Sequence, residues 1–596
     1  MDSSQSTGAS GTASVHIQRY SRKVRPSSSV VLALALWTVL LATPESPALA
    51  QSPDSLQLLR RAREAQQDFE RGRRSNLPYE FDERSGPCDV RIGRFCYWDD
   101  PSPDRPPEPE DIGRARDRLL RELAAAGAKL PGDDWILGQR VRYLVEQRRV
   151  GLAVTLSQTC GATRWWCDAL EGFARHSGGD YEGADRAFAR ALAAMDEKQR
   201  CDWIDLSPLL EDAKEYRKLG CAERVKRGRR IWWLADPLYS LEGNDLRTEH
   251  YARHTLALLM DDASNPYGLV WGDDMRELLI RFGWPTHWSR TFRRSGSLEP
   301  PTIVGHEADP GFWFFQRPVL TAPWSDVTEV HWEPRKERTP AQYAPPYAAA
   351  LVPITGVQFA RFRRGDSALT VAAVDLSADS GFAAGPIDVR LAAARDPATP
   401  VEVGRASLAS PFGLVAVRSS WRPALLSLEI MKGDTGLLGW HRVMLPRDPA
   451  GLPPVLSDIL LLAPRRELPR TLDEAVGAAL RPAEVRKGQR VGLYWEMYEV
   501  PDSALEVAVT VTKARSKRDS PFPVGRPECP PRVSSLVSVR WQEARESQPR
   551  GAARSIVLDL RELSRGRYLV AIQISQAGQP RGCSSRELEI VKDGKR

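Results

Sequence analysis

The hydrophobic period changes once along this 596-residue chain, and the change separates two kinds of structure. In the first half apolar residues recur at three- and four-residue intervals, as in Ile112, Ala115, Leu119, Leu120 and Leu123; from about residue 350 they alternate. A period near 3.6 builds helices with one apolar stripe, whereas a period of two builds strands with one apolar face. Helices that come first and strands that follow predict a multi-domain α+β chain. The length allows three or four domains at roughly 100 to 200 residues each.

The alternating segments fall into two groups. Residues 356–364, 368–377, 387–395, 414–420, 424–431 and 441–446 predict a β-sandwich over 346–450. Residues 490–500, 505–513, 535–542, 555–560, 567–575 and 585–591 predict a second sandwich over 488–596, with a connector at 451–487. In the second group the turn Gly566, Arg567, Tyr568 resembles the start of a late strand in exported immunoglobulin-like modules, a likeness that implies fold alone. A Pro- and Trp-rich tract at 301–345 has no sustained period and reads as a linker.

The chain starts with basic residues between Arg19 and Arg25, an apolar run of thirteen residues at 30–42, and a small-residue stretch ending Ala48, Leu49, Ala50. That order is expected of a secretory signal peptide over 1–50, and the run is shorter than the roughly 20 residues that span a bilayer. Removing 1–50 leaves 80 Lys and Arg against 75 Asp and Glu, a net charge of +5. So small an excess argues against nucleic acid as a partner. Eight Cys fall as near neighbours, namely Cys88 with Cys96, Cys160 with Cys167, Cys201 with Cys221, and Cys529 with Cys583. Their even number and exported setting predict disulfides, and the absence of a CxxC pair argues against zinc. The expected location is periplasmic or extracellular, at the cell envelope, with no membrane span after cleavage.

Residues 51–110 read as a Cys-stapled segment followed by a Pro-rich connector. Residues 111–222 resemble tetratricopeptide repeats: Gly172, Ala184, Phe188 and Ala191 stand at the small and aromatic positions of one repeat, and Gly138 lies 34 residues before Gly172, the period of that family. Helices over 112–126 and 206–218 are expected to cap this short stack. The resemblance implies either a concave peptide-docking surface or a helical spacer.

The densest stretch of unusual residues is 230–289, which holds five Trp, the turn signals Asp236-Pro237 and Asn265-Pro266, and His250 and His254 one turn apart. It carries an aromatic-Asp-Pro start at Trp232, Asp236 and Pro237, an Asn-acid pair at Asn244 and Asp245, and Tyr251 with Arg253. Val270, Trp271, Gly272, Asp273 and Asp274 follow, and the ending is Gly283 and Pro285. These features resemble the GWxTD domain of exported bacterial proteins, with Val270 in place of Gly and Asp273 in place of Thr. The resemblance implies a small α/β module over 223–300 and extends into the strand region at 456–463 and 494–500.

Each reactive-looking group has a structural alternative. His250 and His254 have the spacing by which a helix offers two imidazoles to a metal, but Glu249 precedes the first His and the HExxH pattern is absent. No metal or other cofactor is expected, and the pair is the one weak candidate. Asp273 and Asp274 are a carboxylate pair that also suits a helix cap. The Trp residues suit core packing, and also contact with glycan. No phosphate-cradling glycine loop or nucleophile elbow occurs. The leading expectation is a non-enzymatic binding or assembly protein with protein partners at the envelope. The alternative is an envelope hydrolase acting on glycan or peptide through the GWxTD-like module.

Overall fold

A computed structural model of the chain describes residues 52–80, 90–97, 107–210, 213–291, 302–306, 347, 350–378, 380–382, 386–420, 424–433, 435–445, 455–481, 483–498, 504–514, 535–543 and 552–592. The expected signal peptide at 1–50 and almost all of the expected linker at 301–345 lie outside these residues. The fold is mixed α+β, with a helical N-terminal region and strand-rich sheets after it.

The helices are α1 (Pro53–Asn76), α2 (Glu110–Lys129), α3 (Asp134–Glu146), α4 (Val150–Gln158), α5 (Arg164–Ser177), α6 (Tyr181–Ala194), α7 (Glu197–Trp203), α8 (Lys214–Arg217), α9 (Cys221–Ala235), α10 (Asp245–Asp261) and α11 (Asp273–Phe282). Acidic caps start several of them: Asp133 accepts from Ile136 N at 2.8 Å, Asp180 from Gly183 N at 2.9 Å and Asp196 from Gln199 N at 2.8 Å. Each such cap satisfies an amide that the helix itself leaves open. The expected helix over 206–218 is instead a single 3-10 turn, Ser207–Leu209, and the one-turn α8.

From α1 to α6 successive helices lie side by side, and α5 and α6 fold back on each other. The Phe188 ring of α6 rests so close to Gly172 of α5 that a Cβ there would stand 2.7 Å from the ring. A buried charge network fastens α1 to α3. Glu70 accepts from Arg142 at 3.0 Å and from the Tyr143 hydroxyl at 2.8 Å, while Arg73 pairs with Glu70 and Glu146. Charges this deep cost several kcal/mol each unless paired, so the network is stable only as a complete set. Disulfides fix two further joints: Cys160 to Cys167 between the end of α4 and α5, and Cys201 to Cys221 between α7 and α9, with Cα separations of 5.8 and 5.6 Å. Cys583 is also disulfide-bonded; Cys88 and Cys529 lie outside the described residues, which leaves those two pairings undescribed.

Two small sheets flank the helices. One joins β1 (Tyr79–Glu80), β4 (His287–Thr291) and β5 (Ile303–His306), and the other is the hairpin of β2 (Val90–Ile92) and β3 (Phe95–Tyr97).

The remaining strands form four sheets. The first, in the order β10-β9-β12-β13-β6, contains β10 (Glu402–Leu408), β9 (Ile387–Ala394), β12 (Leu425–Lys432), β13 (Leu437–Met444) and β6 (Ala350–Pro353). The second, β11-β8-β7, contains β11 (Phe412–Ser420), β8 (Ser367–Asp375) and β7 (Val357–Arg364). The third, β14-β16-β19, contains β14 (Leu460–Leu462), β16 (Arg490–Met497) and β19 (Ala552–Asp559). The fourth, β15-β21-β20-β17-β18, contains β15 (Glu484–Arg486), β21 (Gln579–Val591), β20 (Gly566–Gln576), β17 (Leu505–Lys513) and β18 (Val537–Glu543).

These sheets stack face on face. Phe359 and Val374 from the second sheet meet Leu391 and Leu428 from the first. The opposite face of the second sheet, through Ala360, Phe362, Val371 and Ala373, meets Leu460 and Tyr494 of the third. Leu493 and Trp495 then turn to Val507 and Ile572 of the fourth. A sheet covered on both faces needs apolar residues at successive positions, which accounts for the run Val371, Ala372, Ala373, Val374 in β8.

Candidate functional site

Several marker residues of 230–289 lie on or beside α10, a helix buried on nearly every side. It lies against α3, α5, α6, α9 and α11. Gly138 of α3 sits directly under Leu259 of α10: a Cβ there would come within 2.6 Å of the Leu259 side chain. Gln139 donates from Nε2 to Leu259 O at 2.7 Å. Tyr251 of α10 packs on Phe188 of α6 with ring centroids 5.5 Å apart. The face of the helical array that carries Gly138 is therefore filled by the chain's own α10.

The approach to α10 is set by tight local geometry. Gly243 has a φ of 84°, and a Cβ on it would stand 2.5 Å from the Tyr181 carbonyl carbon and the Glu182 amide nitrogen. Only glycine meets both conditions. Asn244 then caps the helix, accepting from Arg247 N at 2.8 Å and donating from Nδ2 to Trp232 O at 2.8 Å. Asp185 of α6 accepts from Asn244 N at 2.8 Å and from Arg247 at 2.7 Å.

One turn in, α10 carries a buried polar group that crosses to α5. The two ring nitrogens of His176 engage Thr248 Oγ1 at 2.8 Å and the Glu249 carboxylate. Arg253 binds the other oxygen of Glu249 and donates to Ile280 O of α11 at 3.2 Å. Burial opposes ionisation of Glu249, but Arg253 and His176 outweigh it and hold the carboxyl well below the usual range.

At the start of α10, Asp245 accepts from the Tyr347 hydroxyl at 2.9 Å. Asp236, partly buried nearby, accepts from Leu238 N at 3.3 Å. Burial first, and the neighbouring Asp245 second, push its carboxyl well above the ordinary value.

The segment after Asp236 is clasped to the first large sheet. Glu429 of β12 accepts from Tyr239 N at 2.8 Å, Ser240 N at 3.0 Å and Ser427 Oγ at 2.7 Å. Arg442 of β13 donates to Pro237 O at 2.6 Å and lies over the rings of Tyr239 and Trp440. Trp232 and Trp233 of α9 pack with Ala392, Leu425 and Met444 of the same sheet. The block thus touches helices on one side and strands on the other.

The remaining marker residues lie elsewhere. Asp274 grips Arg94 in the β2–β3 hairpin through Nε at 2.7 Å and through a second guanidinium nitrogen at 2.8 Å, and also accepts from Met275 N at 2.9 Å. Those hydrogen bonds from Arg94 hold its carboxyl well below the usual range. Asp273, its neighbour, is exposed. Trp271 stands 6.0 Å from Trp284, between ring centroids, in the apolar cluster of the helices. Gly283 closes α11 with a φ of 80° and precedes Pro285. Ala184 and Ala191 are fully buried.

His250 and His254 do face each other, with ring centroids 4.6 Å apart. His250 donates from Nε2 to Trp203 O at 3.0 Å, and the rings of Trp203 and Trp232 wall the pair. Burial pushes His250 down to about 4, and burial, then the neighbouring His250, hold His254 well below the usual imidazole range. Both are neutral at physiological pH. Among the described residues no group of three His, Cys, Asp or Glu comes together to hold a metal.

Sequence reading singled out Glu249 only as the wrong partner for a zinc motif, and it passed over His176, Glu429 and Arg442. No family model matches the chain, and no curated protein matches it.

Proposed function

We propose that this is an exported protein of the bacterial cell envelope that works by binding and assembly rather than catalysis. Its parts would be a tetratricopeptide-like stack, a GWxTD-like module and strand-built sandwiches, the last immunoglobulin-like. One observation carries the reading. Three carboxylates of the block and its surroundings are each spent on partners within the chain: Asp274 on Arg94 of the hairpin, Glu249 on His176 of α5 and Arg253 of its own helix, and Glu429 on the amides of Tyr239 and Ser240. Two disulfides suit an oxidising compartment, and among the described residues no helix is long and apolar enough to cross a membrane. Since α10 fills the Gly138 face of the array, a protein partner would be met by outward surfaces.

Crosslinking in intact cells, followed by identification of the attached proteins, tests the reading. A discrete, reproducible protein partner is expected. Hydrolysis of cell-wall glycan or peptide by purified protein, abolished in Asp273→Ala/Asp274→Ala, would overturn it in favour of an envelope hydrolase.

A further inference from the structure

Several outer edges of the large sheets are closed by the chain itself. β10 and β11 lie against each other, with Gly404 of one pressed on the Ala416 carbonyl of the other. Along β7, the Asp458 carboxylate accepts from Arg361 N at 2.9 Å, the Asp458 amide donates to Arg361 O at 3.1 Å, and the Tyr498 hydroxyl accepts from Arg363 N at 2.8 Å. Along β14, Leu461 O accepts from Leu480 N at 2.8 Å. An edge left open is a template for another strand, which is why folded chains cover theirs.

The edge formed by β18 is left open. This strand is the last of the fourth sheet and pairs with β17 only, from Leu505 opposite Glu543 to Val511 opposite Val537. Among the described residues no backbone or side-chain group bonds to its other side. Ser538, Val539, Arg540 and Gln542 are all exposed. In this register Val537, Val539 and Trp541 continue the row of Val511, Val509 and Val507, which is buried between the third and fourth sheets. Trp541 still reaches Trp495 of the third sheet, with ring centroids 6.4 Å apart. Val539, however, is 41% exposed, and Leu536 just before the strand is 55% exposed. The buried row thus ends in an apolar rim beside an unpaired ladder edge.

The sequence of this edge is complementary to itself in an antiparallel register. Centred on Val539, two copies place Val539 opposite Val539, Val537 opposite Trp541, Ser538 opposite Arg540 and Leu536 opposite Gln542. The apolar row then runs unbroken across the join, and no like charges meet. Centred on Arg540, two guanidinium groups would stand opposite each other; centred on Trp541, the Glu543 carboxylate would face Val539. Both pairings are unfavourable. A slip of one residue would set the apolar row of one strand beside the polar face of the other. The neighbouring residues 515–534 hold five Pro, which have no amide hydrogen for a ladder, so a strand from outside suits the edge better than that segment.

We infer that β18 is a self-association edge: two copies of the chain pair their β18 strands antiparallel about Val539, joining two five-stranded sheets into one of ten. An interface built on one strand pair is small, so the dimer should form at roughly micromolar concentration. The inference needs only a second copy of this chain and is independent of the envelope partner proposed above, so failure of either leaves the other standing.

Sedimentation velocity of the full chain over a concentration series tests it, and a monomer–dimer equilibrium is expected. Val539→Lys sets two cations face to face at the centre of the join and should weaken dimerisation about tenfold. Ser538→Glu, opposite Arg540 of the second copy, should tighten it about threefold, and Ser538→Lys should weaken it by a similar factor. Ser538 is exposed, so its two variants serve if Val539→Lys fails to fold. Val270→Lys alters an apolar side chain 83% exposed outside this sheet and should dimerise as the parent does. A monomer at every concentration, a dimer indifferent to the β18 variants, the same effect from both Ser538 variants, or equal loss with Val270→Lys would overturn the assignment. Capture of an extended peptide by a monomeric chain would also overturn it, and would give the edge to a strand of another protein.

Discussion

Single residues decide the charge state of this protein's interior. His250 is buried and His441 partly so, and each donates a ring N–H to a backbone carbonyl, His250 to Trp203 O at 3.0 Å and His441 to Ile354 O at 2.7 Å. Burial lowers both to about 4. In the unfolded chain an imidazole titrates near 6.5, so between those values the unfolded state binds a proton that the folded state refuses. Stability is therefore complete above about 6.5 and is lost as pH falls toward 4, by roughly 1 kcal/mol per pH unit for each imidazole. Thermal melts at stepped pH should show this decline, and His441→Gln should flatten it. A melting temperature that stays constant from neutral pH to 5 would contradict the burial of these rings.

At the scale of the element, α10 shows how far a sequence can be read. Its start was legible, since Gly243 and Asn244 before Asp245 are a turn residue and a cap in the right order. Its burial was not, because Glu249, Arg253 and Thr248 look like surface residues until partners from α5 and α11 are placed around them. The pair His250 and His254 shares a face as its spacing required, but what surrounds that face is aromatic. Because Glu249 is deep and bound by both His176 and Arg253, removing His176 leaves one carboxylate oxygen without its buried partner. His176→Ala should destabilise the fold by about 1 to 3 kcal/mol, whereas Glu249→Gln/His176→Ala together should cost less than the sum. Chemical denaturation of the single and double variants measures the difference. Strict additivity would mean that the two residues do not act as a pair.

For the whole molecule, the decisive contact lies between the second and third large sheets. Gln358 of β7 donates from Nε2 to Leu461 O at 3.1 Å and to Leu480 O at 2.7 Å, while its Oε1 accepts from Leu461 N at 2.7 Å and from Arg586 at 3.1 Å. Arg586 is fully buried beside it and also donates to Phe359 O; burial pushes its guanidinium down to about 10. This seam couples the two strand-rich stretches that the sequence presented as separate sandwiches. Gln358→Ala leaves buried donors and acceptors unpaired, at about 1 to 3 kcal/mol for each group. Hydrogen exchange read by mass spectrometry should find β9 and β20 opening with similar free energies in the parent and with different ones in this variant. Independent opening of the two in the parent would reject a continuous stack.

The sequence by itself determined what depends on neighbours along the chain: helix or strand from the hydrophobic period, caps and turns from Asp, Asn and Gly, and the short-range cysteine pairs of Cys160 with Cys167 and Cys201 with Cys221. It also marked β7 and β8 as strands, though not that both their faces are covered. Only the tertiary structure decided which charges are buried, which helix fills the face of the array, and which sheets meet. Those outcomes depend on residues 70 or more positions apart, as with His176 and Glu249 or Gln358 and Leu461. No local pattern encodes such a partner, because the free energy of a buried polar group is set by what the fold places beside it.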